Sequence, residues 1–390
     1  MALTLVVLGT MGRVPFGGHA WSHMSWLLGL ARLGHDVWYV EDDVVWPYDP
    51  ERNAVTDDCG YAVRHIAACM ARIGLAERWA FRFAERDGAC WGLESPALDA
   101  LYARSDALIN LCGATRLREP HFAAPFRILL QTDPVVGELR VASGAEHARE
   151  PFEAHHLVAT YGENFGAPDC PVPLNGYEAK YRRTRQPVAL DWWPMHFDAN
   201  ARHFTTIGNY RQTGYDVTWR GETYTWSKHR EWEKFIGLPR RTRQGFELAL
   251  QVEDAADRAR LDSFGWRIVP PNPMSLDVFD GYPGFIRRSR AELTVAKDQN
   301  VRLNSGWFSE RDACYLASGK PVVAQDTGFG KFLPTGAGLF AVSDVDAALA
   351  AIEAINADYR RHCDAARAIA EEHLEASRVA ARLLEDVGLA

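Results

Sequence analysis

The chain has 390 residues, 47% of them hydrophobic and 24% charged, a length that suits two cores and a mixture that excludes a disordered protein. Its formal net charge of −8 argues against nucleic acid as the main partner, because phosphate binding asks for a basic face. No window reaches the roughly 20 apolar residues needed to span a bilayer.

Residues 3–9 (Leu-Thr-Leu-Val-Val-Leu-Gly) read as a fully buried parallel strand. The run lacks the basic start and small-residue cleavage site of a signal peptide. A glycine-containing loop leads to a helix predicted over 20–33, ended by Gly34, and a second strand follows at 36–41. That βαβ unit implies a parallel sheet. Further strands are predicted at 107–111, 127–131 and 156–160, with helices at 61–73 and 95–103. A proline-rich stretch from Cys170 to Pro194 predicts a boundary near residue 195. The rhythm then restarts, with strands at 204–207, 246–250, 266–269, 291–295 and 321–324. Helices are expected at 228–235 and 346–355, and an amphipathic run covers 358–387. Residues 215–226 alternate like a hairpin turning at Arg220-Gly221.

These elements predict an α/β protein of two Rossmann-like, doubly wound parallel-sheet domains facing a cleft. The expected divisions are an N-terminal domain at 1–195, a C-terminal domain at 196–370, and a C-terminal helix at 371–390 packing back on the N-terminal domain. The seven cysteines are scattered and show no CxxC pair, which predicts reduced thiols and a cytoplasmic protein.

Two constellations carry chemistry. Gly17-Gly18-His19 follows the first strand, at the carboxyl edge where open α/β sheets bind ligands. A neutral imidazole there can take a proton from a hydroxyl, and a helix N-terminus favours the neutral form. The same residues also fit a plain turn with a capping histidine. The second block, 291–330, reads as strand, loop, helix, strand, loop. Ser309 caps the helix, with Asp312 three residues on. Its exposed N–H groups, with Arg311 and Lys297 nearby, make a candidate diphosphate site. Arg211, after Gly208-Asn209-Tyr210, is a candidate phosphate ligand or an exposed loop arginine.

Both blocks resemble GT-B glycosyltransferases. Gly18-His19, followed by Leu27-Leu28-Gly29-Leu30-Ala31-Arg32-Leu33-Gly34-His35-Asp36-Val37, is similar to the opening of the small-molecule enzymes of that fold. Leu316-Ala317-Ser318-Gly319-Lys320-Pro321-Val322-Val323 is similar to their donor-nucleotide motif. The resemblance implies a catalytic base at His19, oriented by a carboxylate. Asp133, after a strand, is the better candidate for that carboxylate, while Asp106 precedes one and suits a turn. It also implies donor binding by Gly17, Gly18, Arg211, Lys297, Ser309, Glu310 and Arg311, and by the sugar loop Asp326-Thr327-Gly328. Trp21, two residues after His19, is the candidate acceptor contact. One departure stands out. Cys314 occupies the position of the family's ribose-binding glutamate, and Glu310, one turn earlier, is the candidate substitute.

The function implied is transfer of a sugar from a nucleoside-diphosphate sugar, UDP- or dTDP-linked, to a hydroxyl on a small molecule or glycan. The nucleotide sugar is a co-substrate, and no resident cofactor is expected. No metal is expected, and direct displacement with His19 as base is the preferred mechanism. The alternatives are a retaining GT-B enzyme of glycan assembly, a GT-B-fold sugar-nucleotide epimerase, and a non-catalytic sugar-nucleotide-binding protein.

Overall fold

A computed structural model of the chain describes residues 1–84 and 88–390. The first sheet is built from β1 (Thr4–Leu8), β2 (Asp36–Asp43), β3 (Trp79–Phe83), β4 (Ala89–Trp91), β5 (Ala107–Leu111), β6 (Arg127–Gln131), β7 (Leu157–Thr160) and β8 (Tyr181–Arg183), in the order β8-β7-β6-β5-β1-β2-β3-β4. The second contains β9 (His203–Asn209), β10 (Gly245–Gln251), β11 (Arg267–Val269), β12 (Ala291–Thr294), β13 (Val322–Gln325) and β14 (Leu339–Val342), ordered β11-β10-β9-β12-β13-β14. Every neighbouring pair is parallel except β3 with β4. Both sheets therefore start at the centre, run outward to one side, and then cross to the other.

The central strands explain their own sequences. Leu5 and Val7 of β1 belong to one core cluster, and Val6 and Leu8 to another on the opposite face. Because both faces are covered, the strand reads as an unbroken apolar run. The strands β3, β4, β8 and β14, at or next to a sheet edge, were not predicted. Arg82 in β3 explains part of that, since its charge interrupts the apolar pattern. It is buried and pairs with Asp42 of β2 through Nη2, at 2.6 Å.

Two helical expectations change. The helix after β1 runs Gly17–Arg32, so Gly17-Gly18-His19 forms its first turn and not a preceding loop. The amphipathic run at 358–387 is two helices, Tyr359–His373 and Ala376–Asp386. It breaks because the Glu375 side chain caps the second helix, accepting from the N–H groups of Ser377 and Arg378. Val188 enters the break, donating its N–H to Leu374 O (2.7 Å) and accepting from Ala376 N–H (3.0 Å). The last helix packs against Gly17–Arg32. Gly29 makes that approach possible, since a Cβ there would lie 2.4 Å from the Ala376 carbonyl oxygen.

Candidate functional site

A cleft of about 560 Å³ opens between the carboxyl ends of the two sheets, where doubly wound sheets bind their ligands. From the first sheet it receives Gly18 and His19 beyond β1, and Asp133 beyond β6. From the second it receives the end of β9 (Thr206 to Asn209), Lys297 beyond β12, and the helix start Ser309, Glu310 and Arg311.

On the first wall, His19 Nε2 lies 2.5 Å from Thr10 Oγ1. Its ring stands 4.5 Å, centroid to centroid, from that of His23. His23 must donate from Nδ1, because its partner is the His19 carbonyl (2.8 Å); its Nε2 accepts from Thr10 N–H at 3.1 Å. Burial holds His23 neutral, with a pKa of about 4. Burial also lowers His19 well below the ordinary range, helped by His23 and Arg13. The imidazole facing the cleft is therefore a neutral one. Gly17 and Gly18 do allow a close approach, and what approaches is Tyr282. A Cβ on Gly17 would sit 2.7 Å from Tyr282 Cβ, and one on Gly18 would sit 3.0 Å from its hydroxyl.

Asp133 reaches the cleft but forms no hydrogen bond with His19. Its Oδ2 is taken by Lys297 Nζ, an ion pair that joins the two walls. The hydrogen-bond partner of the His19 ring is thus Thr10 and not the expected Asp133. The backbone beyond it is strained, with Val135 at φ 91°, a conformation that costs a β-branched residue about 1–3 kcal/mol. Val135 is buried and its N–H is held by Glu138 Oε2 at 2.8 Å.

The second wall is charged. Ser309 Oγ caps the Glu310–Ala317 helix by accepting from Arg311 N–H at 3.2 Å. Arg311 is largely committed. Its guanidinium donates to Glu292 (2.5 Å), Ile207 O (2.8 Å) and Thr294 Oγ1 (2.5 Å). Behind it, burial and then the Glu292 charge push the Asp312 carboxyl well up. Burial likewise raises the Glu310 carboxyl. Lys228 is different: it lines the cleft with no hydrogen-bond or ion-pair partner among the described residues, its ammonium 5.6 Å from the Trp307 ring centroid. Burial, then Arg311 and Lys297, bring its pKa down to about 7. Sequence reasoning missed Lys228 and Tyr282. The signal for Lys228 was its position as the first residue of the helix predicted at 228–235, directly after the hairpin.

Other expected site residues lie elsewhere. Arg211 is bound by Asp257, with Nη2 2.8 Å from Oδ1, and stands outside the cleft lining. Asp326 is exposed and caps Gly328 N–H at 2.8 Å. Thr327 is buried and donates to Trp307 O, 2.5 Å away. A Cβ on Gly328 would lie 2.3 Å from Asn304 Oδ1, so this loop is filled by protein and does not line the cleft. Trp21 is a core residue. It is 1% exposed, packs on Trp193, and donates from Nε1 to Val278 O (2.7 Å), so it is not an acceptor contact.

No protein-family model matches the sequence, and no curated protein matches it significantly. Solved structures do. An α-glucosyltransferase in complex with UDP-glucose and DNA containing an abasic site superposes with TM-score 0.60 at 12% identity, covering 100% of each chain. Alr3699/HepE from Anabaena, in complex with UDP-glucose, gives 0.57 at 12% identity, again over 100% of each chain. A glycosyltransferase from Rickettsia africae ESF-5 gives 0.54 at 11% identity, covering 98% of this chain and 97% of that one. The fold is the GT-B glycosyltransferase fold. Among the described residues, no helix is long and apolar enough to cross a membrane.

Proposed function

We propose that this protein is a glycosyltransferase that moves a sugar from a nucleoside-diphosphate sugar to a hydroxyl-bearing acceptor. The observation that carries the reading is Lys228, a cleft cation without a partner among the described residues, its pKa lowered by burial and then by Arg311 at the Ser309–Arg311 helix start. A diphosphate supplies the anionic partner that Lys228 lacks. Lys297 completes the set by exchanging Asp133 for a phosphate oxygen. The UDP-glucose in two of the structural neighbours makes UDP the first nucleotide to test. The α-glucosyltransferase neighbour was solved with DNA, but a net charge of −8 favours a small-molecule or glycan acceptor here.

In the preferred mechanism the acceptor hydroxyl loses its proton to His19. If Thr10 Oγ1 accepts from Nε2–H, the basic nitrogen is Nδ1, and burial already keeps the ring neutral. The acceptor oxygen bonds to the anomeric carbon as that carbon's bond to the diphosphate oxygen breaks. The nucleoside diphosphate leaves with its charge met by Lys228 and the helix start, without a metal ion. The missing bond between Asp133 and His19 favours one other reading, a retaining enzyme in which His19 contacts acceptor or phosphate. The anomer of the product, read by NMR, separates the two.

The test is thermal unfolding with UDP-, dTDP- and GDP-sugars, followed by a screen of hydroxyl acceptors for nucleotide release. A bound donor at 100 times its Kd stabilises by about 2.7 kcal/mol. Stabilisation by none of them would sink the proposal. Conversion of the donor without any acceptor would replace it with an epimerase, and binding without turnover with a sugar-nucleotide-binding protein.

A further inference from the structure

Tyr282 lines the cleft at 2% exposure, and its buried hydroxyl has no hydrogen-bond partner among the described residues. The ring is fixed on both sides. It packs edge-on against Trp193, with centroids 6.0 Å apart at 87°, and it covers Gly17 and Gly18 of the facing wall. A phenylalanine would fill the same space without burying an unpaired hydroxyl, which is a costly group to leave unsatisfied. Burial pushes its pKa far up, so the hydroxyl stays protonated and able to donate.

What it faces is also short of acceptors. The Gly17–Arg32 helix begins at Phe16, which offers no side-chain cap, and the first N–H groups of a helix have no partner within it. A phenolic O–H and the N–H groups of a 16-residue helix thus meet at one spot on the cleft wall. A group there must be an acceptor and is favoured if anionic. We infer that Tyr282 is a donor-binding residue, its hydroxyl donating to a diphosphate oxygen that the first turn of the Gly17–Arg32 helix holds from the opposite wall. One anionic group would then be gripped by both halves of the molecule. The inference rests on the glycosyltransferase reading for the identity of the diphosphate.

The test is Tyr282→Phe in the full chain, titrated calorimetrically with UDP-glucose, UDP, inorganic pyrophosphate and uridine. The expected result is a Kd about 10- to 100-fold weaker for the three phosphate ligands. Uridine binding should be unchanged, and the unliganded Tm unchanged or raised. Pyrophosphate binding with that loss, but no binding of UDP or UDP-glucose to the wild type, would uphold the anion site and remove the nucleotide-sugar reading. Equal affinity of variant and wild type for pyrophosphate and UDP would overturn the inference. So would a loss confined to UDP-glucose, which would put the hydroxyl on the sugar, or a lowered Tm, which would give it a partner inside the protein. Failure of the wild type to bind any of the phosphate ligands would also overturn it.

Discussion

The two walls of the cleft are built on the same frame and hold opposite chemistry. Each sheet begins at its centre, and each presents the loop after its first strand to the cavity. On the first wall that loop leads straight into a helix, so backbone N–H groups and a neutral imidazole face the ligand. On the second, the strand β9 is followed by a hairpin and only then by Lys228, while the buried acids Glu292 and Asp312 sit behind the Arg311 guanidinium. Strand order sets where the walls stand, and the short segments after the strands decide what they can do. Only the first wall adds a neutral imidazole to its helix start, and only the second adds lysine and arginine charges to its own.

That division can be broken by experiment. Its largest consequence is for His19→Ala, which should lower kcat by about 100-fold or more while leaving the Kd for UDP-glucose unchanged. A comparable loss of donor affinity would erase the distinction between the walls. In the wild type, the depressed His19 pKa keeps the ring unprotonated throughout the neutral range, so kcat should show no break near the ordinary histidine value of about 6.5.

A smaller effect belongs to Lys228→Met, expected to weaken UDP-glucose binding about 10- to 100-fold. The pH dependence sharpens it. Below its pKa of about 7 the lysine carries its charge, and above it the charge is lost. Donor affinity should therefore fall as pH rises through that value, by up to about tenfold per unit, and the slope should vanish in the variant. A wild-type Kd independent of pH between 6 and 8.5 would take Lys228 out of the donor site. The smallest change is Trp21→Phe. Losing the bond to Val278 O should cost about 1 kcal/mol of stability, measured by denaturant unfolding, and leave the acceptor KM alone. A raised acceptor KM would return Trp21 to the site.

The sequence made the central strands and the cleft's position legible because buried parallel strands are continuously apolar and their loops carry glycines. The strand β3 was hidden by Arg82, whose charge is met by Asp42 on the neighbouring strand and by Asp99. The Gly17-Gly18 pair signalled a close approach, yet nothing local says that the approaching group is Tyr282, more than 260 positions on. Asp133 was legible as a residue at the ligand edge, but its partner Lys297 lies in the other half of the chain. Asp326-Thr327-Gly328 misled for the reverse reason. Its glycines fit a ligand loop, and they also fit a loop packed against Asn304.

Val188, clasped between Leu374 and Ala376, has a mechanical consequence. The chain passes from the first sheet to the second through residues 184–202 and returns at the break between the last two helices. These two crossings are hydrogen-bonded to each other. A single crossing would act as a swivel, free to twist. Two bonded side by side act as a flat hinge, which bends in one sense and resists torsion. A twist of one sheet against the other, which would carry Tyr282 away from the Gly17–Arg32 helix, would have to break these bonds.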